Sequence, residues 1–164
     1  MVMLELVLAL TLATEIKPQT PEFLGEDVVA LIKKQNREVM VDVVKGETYW
    51  TDSAILERNK KFPKSVAAML KTPSPDRKLE AGKVAALLDA YQQHRDGYVE
   101  ATIERTGPEC FVVAGTTRAL VNCLYVEYLH ARYLKAKWLV HGALEPVLLV
   151  EGNRVHALLV PMKK

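Results

Sequence analysis

The chain has 164 residues, 49% of them apolar and 26% charged, with a net charge of +2. That length suits one domain with a core of common size, and the composition excludes both a disordered chain and a general polycation. Two cysteines, Cys110 and Cys123, are too few for a secreted disulfide framework, so reduced cysteines in a cytoplasmic setting are expected.

The opening residues MVMLELVLALTLATE carry no Lys or Arg before Lys17, and Glu5 interrupts the apolar stretch, which argues against a secretory leader. Leu4, Leu6, Leu8, Leu10 and Leu12 alternate with other residues, a period of two that predicts a first β-strand. No apolar run reaches the ~20 residues of a bilayer-spanning helix.

From Pro21 the apolar positions Phe23, Leu24, Val28, Leu31 and Ile32 recur at helical spacing. The alternation in REVMVDVV then predicts a strand over 38–44, and Lys45-Gly46 turns the chain back into ETYW. Across 51–95 the pattern reads as a helical insert, with Pro63, Pro73 and Pro75 dividing it into helices near 52–61, 63–71 and 76–94. A hairpin over 98–114 turns at Thr106-Gly107-Pro108. Residues 117–141 hold no Gly or Pro and predict one long helix ending before Gly142. PVLLVE and RVHALLVP, joined by Gly152-Asn153, predict a final hairpin. The expected fold is thus a single α+β domain over 1–164, without internal repeats: a largely antiparallel sheet covered by helices, with the long helix between two β-hairpins.

Two features point outward. Between Arg58 and Lys83 stand eight basic and two acidic residues, a net of +6 that leaves the rest of the chain at −4. Arg58, Lys60, Lys61, Lys64, Lys78 and Lys83 are the candidate nucleic-acid contacts, since clustered cations neutralise phosphates without reading sequence. Helices on either side of Phe62-Pro63, followed by a third helix and a hairpin, are compatible with a winged helix-turn-helix, although Phe62-Pro63 is not the small-residue turn of that motif. The second feature is FVVAGTTRALVN, where a strand ending at Gly115 leads into a helix capped by Thr116 or Thr117. Such a junction is a structural corner, and with Arg118 it is also a candidate anion site.

Other patterns carry less. Glu127 and His130 have the E-x-x-H spacing of di-iron bundles but occur once, and His141 falls three helical turns beyond His130, too far to share a metal. No catalytic motif, metal set or cofactor fingerprint is present. Apolar groups on all sides of the 117–141 helix, together with the leucine-faced first strand, lead us to expect a homo-oligomer. Two functional classes result. One is a non-catalytic cytoplasmic binding protein that docks DNA or RNA through its basic segment. The other is an oligomeric ligand-binding protein or small enzyme with an anion pocket at 115–118.

Overall fold

The computed structural model describes residues 19–72 and 82–163. Within them are four helices, α1 (Pro21–Lys34), α2 (Lys64–Leu70), α3 (Lys83–Gln93) and α4 (Cys123–Arg132), and nine strands. The strands are β1 (Met40–Val44), β2 (Glu47–Thr51), β3 (Ile55–Asn59), β4 (Val99–Thr106), β5 (Glu109–Ala114), β6 (Thr117–Val121), β7 (Lys137–Val140), β8 (Val147–Glu151) and β9 (Arg154–Leu159). They form an antiparallel sheet in the order β1-β2-β3-β9-β8-β7-β4-β5-β6. The chain is therefore α+β and mostly sheet. The predicted first strand lies outside the described residues.

Local chemistry accounts for the elements that were predicted. Thr20 caps α1 by accepting from Phe23 N at 3.3 Å, and Pro21 occupies the first helical position, where no N–H is needed. Lys45 and Gly46 both adopt positive φ, the backbone of a two-residue turn whose twist matches its strands. Gly152 and Asn153 close the β8–β9 hairpin, with Glu151 opposite Arg154. Pro63 precedes α2, and α3 starts at Lys83, its N-terminal amides bound to a buried carboxylate on β1: Asp42 accepts from Gly82 N, Val84 N and Ala85 N.

Three expectations are overturned. Residues 55–59 form a strand, not part of a helix over 52–61. Asp52 Oδ1 accepts from Ala54 N and Ile55 N while Ser53 takes φ +80°, a turn that returns the chain to the sheet. Ile55, Leu56, Glu57 and Arg58 are all less than 5% exposed, so β3 is buried on both faces and its alternation is hidden from a sequence pattern. The winged helix-turn-helix loses its first helix with this change.

The long helix over 117–141 is likewise replaced by β6, α4 and β7. Asn122 starts α4 by accepting from Leu124 N and Tyr125 N, and the helix ends at Tyr133 after ten residues. Trp138 and Val140 are then buried on alternate positions of β7. Finally, Cys110 on β5 and Cys123 at the start of α4 form a disulfide with Cα atoms 5.2 Å apart, so they are not two reduced hydrophobes. Their 13-residue separation concealed a contact made by the β5–β6 hairpin.

Neighbouring residues on the central strands send side chains to opposite apolar clusters. Trp50, Ile55, Leu149 and Leu159 join Leu24, Val28 and Ile32 of α1, Val66 of α2, and Tyr125, Val126, Tyr128 and Leu129 of α4. On the other face Tyr49, Leu56, Leu148 and Leu158 join Val84, Ala85 and Leu88 of α3. A topological repeat is also present that the sequence pattern does not reveal. α1–β1–β2–β3 and α4–β7–β8–β9 each run helix then three antiparallel strands, and their last strands, β3 and β9, pair with each other. α1 packs against α4 accordingly. No helix among the described residues is long and apolar enough to cross a membrane.

Candidate nucleic-acid interface and the buried network behind it

A fully buried carboxylate organises the face shared by β3 and α4. Glu57 Oε1 accepts from Trp50 Nε1 at 3.0 Å and from the Tyr128 hydroxyl at 2.8 Å. Its Oε2 accepts from Arg132 Nε at 2.6 Å and from the Tyr133 hydroxyl at 2.7 Å. Tyr125, Tyr128 and Arg132 lie three and four residues apart, so one helical face delivers all three to the sheet. Tyr125 donates to Asp52 in the β2–β3 turn, and Arg37 pairs with the same carboxylate oxygen at 3.2 Å.

The electrostatics follow from burial. Burial raises the pKa values of Tyr128 and Tyr133, and the Glu57 charge raises them further, so both stay protonated and donate. For Arg132 burial opposes the charge, but Glu57 and the two tyrosines outweigh it and its pKa ends above the ordinary value. Each Glu57 oxygen already accepts two hydrogen bonds and the residue is 0% exposed, so substrate has no route to it. This is a structural network.

The network continues to the surface at the β3–α2 connection. Arg132 Nη2 donates to the Lys61 carbonyl at 2.7 Å, and Tyr133 accepts from Asn59 Nδ2 at 3.0 Å. Asn59 Oδ1 in turn accepts from Lys60 N at 2.7 Å and Lys61 N at 3.4 Å. The backbone of Lys60 and Lys61 is thereby held from beneath while both side chains are exposed. Lys60, Lys61 and Lys71 line a groove of about 460 Å³ with Val41, Val43, Thr48, Phe62, Ala67 and Leu70. Its lining contains no acidic residue, and Lys64 is exposed on the first turn of α2 with its N–H bound to Glu22.

The other candidate residues are dispersed. Arg58 is buried and bound to Asp89, Tyr49 and Gln92, so it is no surface contact. Lys83 is exposed, but on α3 across the sheet from α2, and Lys78 lies outside the described residues. Gly115 and Thr116 form the β5–β6 turn, with Gly115 at φ +58°, and Thr117 and Arg118 are already in β6. No helix starts there, which removes the donors on which the anion site depended. Arg118 pairs with Glu104 at 2.8 Å over the Phe111 ring.

The E-x-x-H residues also separate. Glu127 pairs with Arg105 at 2.6 Å, while His130 Nε2 accepts from Trp138 Nε1 at 2.6 Å. His141 follows β7 and pairs with Glu145, so it shares no helix with His130. Among the described residues no group of His, Cys, Asp and Glu is placed to hold a metal.

Burial lowers the His130 pKa from its usual 6.5. The unfolded chain therefore protonates first on acidification, so this stabilising contribution is present above the unfolded value and lost as pH falls through the folded one. We expect stability to urea to decrease from about pH 7.5 to pH 5, and His130→Gln, which keeps an acceptor for Trp138 but does not titrate, to flatten that decrease. The His156 pKa, also lowered mainly by burial, acts in the same direction. An equally steep profile in the variant would remove His130 from the explanation.

Comparison of the chain with protein-family models, curated proteins and solved structures finds no match. What sequence reasoning missed is the partnership of Glu57 with Arg132. The two stand 75 residues apart, and the available signal was a charged pair, Glu57-Arg58, inside a segment otherwise suited to a core.

Proposed function

We propose that the protein is a non-catalytic binding protein that holds DNA or RNA by its phosphates through Lys60, Lys61, Lys64 and Lys71. One observation supports this above all: a loop carrying exposed lysines is fixed by a buried hydrogen-bond network. A fixed loop loses less conformational entropy on binding, so its charges act at lower cost than those of free surface lysines. The acid-free groove beside it gives a phosphate backbone a path, and Phe62 gives a base or sugar an apolar contact. Occupied acceptors around Glu57 favour binding over catalysis for this face.

Arg58 and the 115–118 turn no longer belong to the reading. A second copy of the chain is the other partner to test. Tyr125, Val126, Tyr128 and Leu129 are buried within the protomer, which removes the helix-based argument for assembly. Val43, 70% exposed on β1, the outermost described strand at that end of the sheet, takes its place. The cytoplasmic setting loses its cysteine-based support, since disulfides such as Cys110–Cys123 persist mainly in oxidising compartments.

Lysine acetylation followed by mass spectrometry tests the interface. With a duplex or single-stranded oligonucleotide present, Lys60, Lys61, Lys64 and Lys71 should be protected, while Lys33, Lys34 and Lys163 react as in its absence. Uniform reactivity at all seven positions would refute the assignment.

A further inference from the structure

A second concentration of positive charge lies on the opposite face of the sheet. Arg95 follows the end of α3, Lys135 sits in the α4–β7 connection, and Lys137 opens β7. With Leu139, Val150 and Gly152 they line a concavity of about 270 Å³ that contains no acidic residue. The pairing of β7 with β8 sets Lys137 directly opposite Val150, and Leu139 is two residues along the same face. Arg95 Nη2 donates to the Asn153 carbonyl at 3.4 Å, which places the guanidinium over the β8–β9 turn.

Three like charges around one depression repel one another, and internal pairing does little to relieve them. Lys137 reaches Glu100 at 3.7 Å, but both side chains are about two-thirds exposed, where an ion pair contributes little. Neither Arg95 nor Lys135 forms an ion pair with a described residue. Single solvated lysines need no partner, whereas cations brought from three separate elements to one concavity define a place for an anion.

We propose that Arg95, Lys135 and Lys137 form a binding site for a phosphoryl group, independent of the Lys60 groove. A planar guanidinium can take two oxygens of a tetrahedral phosphate while the two ammonium groups neutralise its remaining charge. The volume falls just below the ~300 Å³ at which sites for larger small molecules begin, so a phosphate or diphosphate fits better than a whole nucleotide.

Pyrophosphate is the probe, titrated calorimetrically and by amide chemical shifts at constant ionic strength. The expected result is saturable binding with shifts centred on 135–139 and 150–153, weakened about tenfold for each of Lys135→Ala and Lys137→Ala. Both lysines are exposed, so folding should survive; a control pair, Lys33→Ala with Lys34→Ala, should bind as the parent does. Competition by an oligonucleotide would identify a strand phosphate as the source, and no competition a free anion. Absence of saturable binding, or equal binding by the Lys135 and Lys137 variants, would overturn the site.

Discussion

Replacing Arg132 by alanine is expected to lower stability by about 3–5 kcal/mol, because it leaves the buried Glu57 carboxylate without its charged partner. Against a typical total of about 5–15 kcal/mol, that change brings the protein close to unfolding. Trp50, Tyr128 and Tyr133 would still donate to Glu57, but neutral donors do not balance a carboxylate taken out of water. Replacing both members of the pair, Glu57→Leu with Arg132→Met, should recover much of the loss, since the cost lies mainly in the unpaired charge. Urea midpoints at unchanged transition slope would measure both effects. A loss below about 1 kcal/mol for Arg132→Ala would show that the pair is not the keystone of this face. The same substitution also frees the Lys61 carbonyl, so oligonucleotide affinity should fall even though no contacting lysine has been removed.

Loss of the disulfide is the second large effect. Cys110→Ala combined with Cys123→Ser removes a cross-link that closes a short loop, and chain entropy alone assigns such a loop about 3 kcal/mol. The link ties β5 to the first turn of α4, so its absence should also loosen the helix that delivers Tyr125, Tyr128 and Arg132 to the sheet. Melting with and without a thiol reductant would show it. The parent should shift toward the variant when reduced, and the variant should not move; equal melting of oxidised and reduced parent would contradict the assigned role.

Legibility of the fold in the sequence depended on whether local chemistry or tertiary burial decided the element. Thr20-Pro21, Lys45-Gly46 and Gly152-Asn153 carry their own backbone requirements, and the helix start and hairpins at those places were readable. β3 was not, because Ile55 to Arg58 is buried on both faces and shows no period of two. The 117–141 segment lacks Gly and Pro, yet it changes from strand to helix to strand; Asn122 was a cap signal inside an apolar run that looked continuous. Of the candidate interface, the lysines were visible as a charge cluster, but their division between the β3–α2 loop, a buried arginine and the far side of the sheet was not. That division is set by β-pairing between residues far apart in sequence, as is the meeting of Glu57 with Arg132.

The most direct test of the central claim is the salt dependence of affinity for duplex DNA, followed by fluorescence anisotropy, in the parent and in a variant with Lys60, Lys61, Lys64 and Lys71 all changed to alanine. Each lysine that neutralises a phosphate contributes about 0.9 to the slope of log affinity against log salt, so the variant's slope should be shallower by up to about 3.6. Measurable parent binding with that flattening is the predicted result; no parent binding, or an identical slope in the variant, would contradict it.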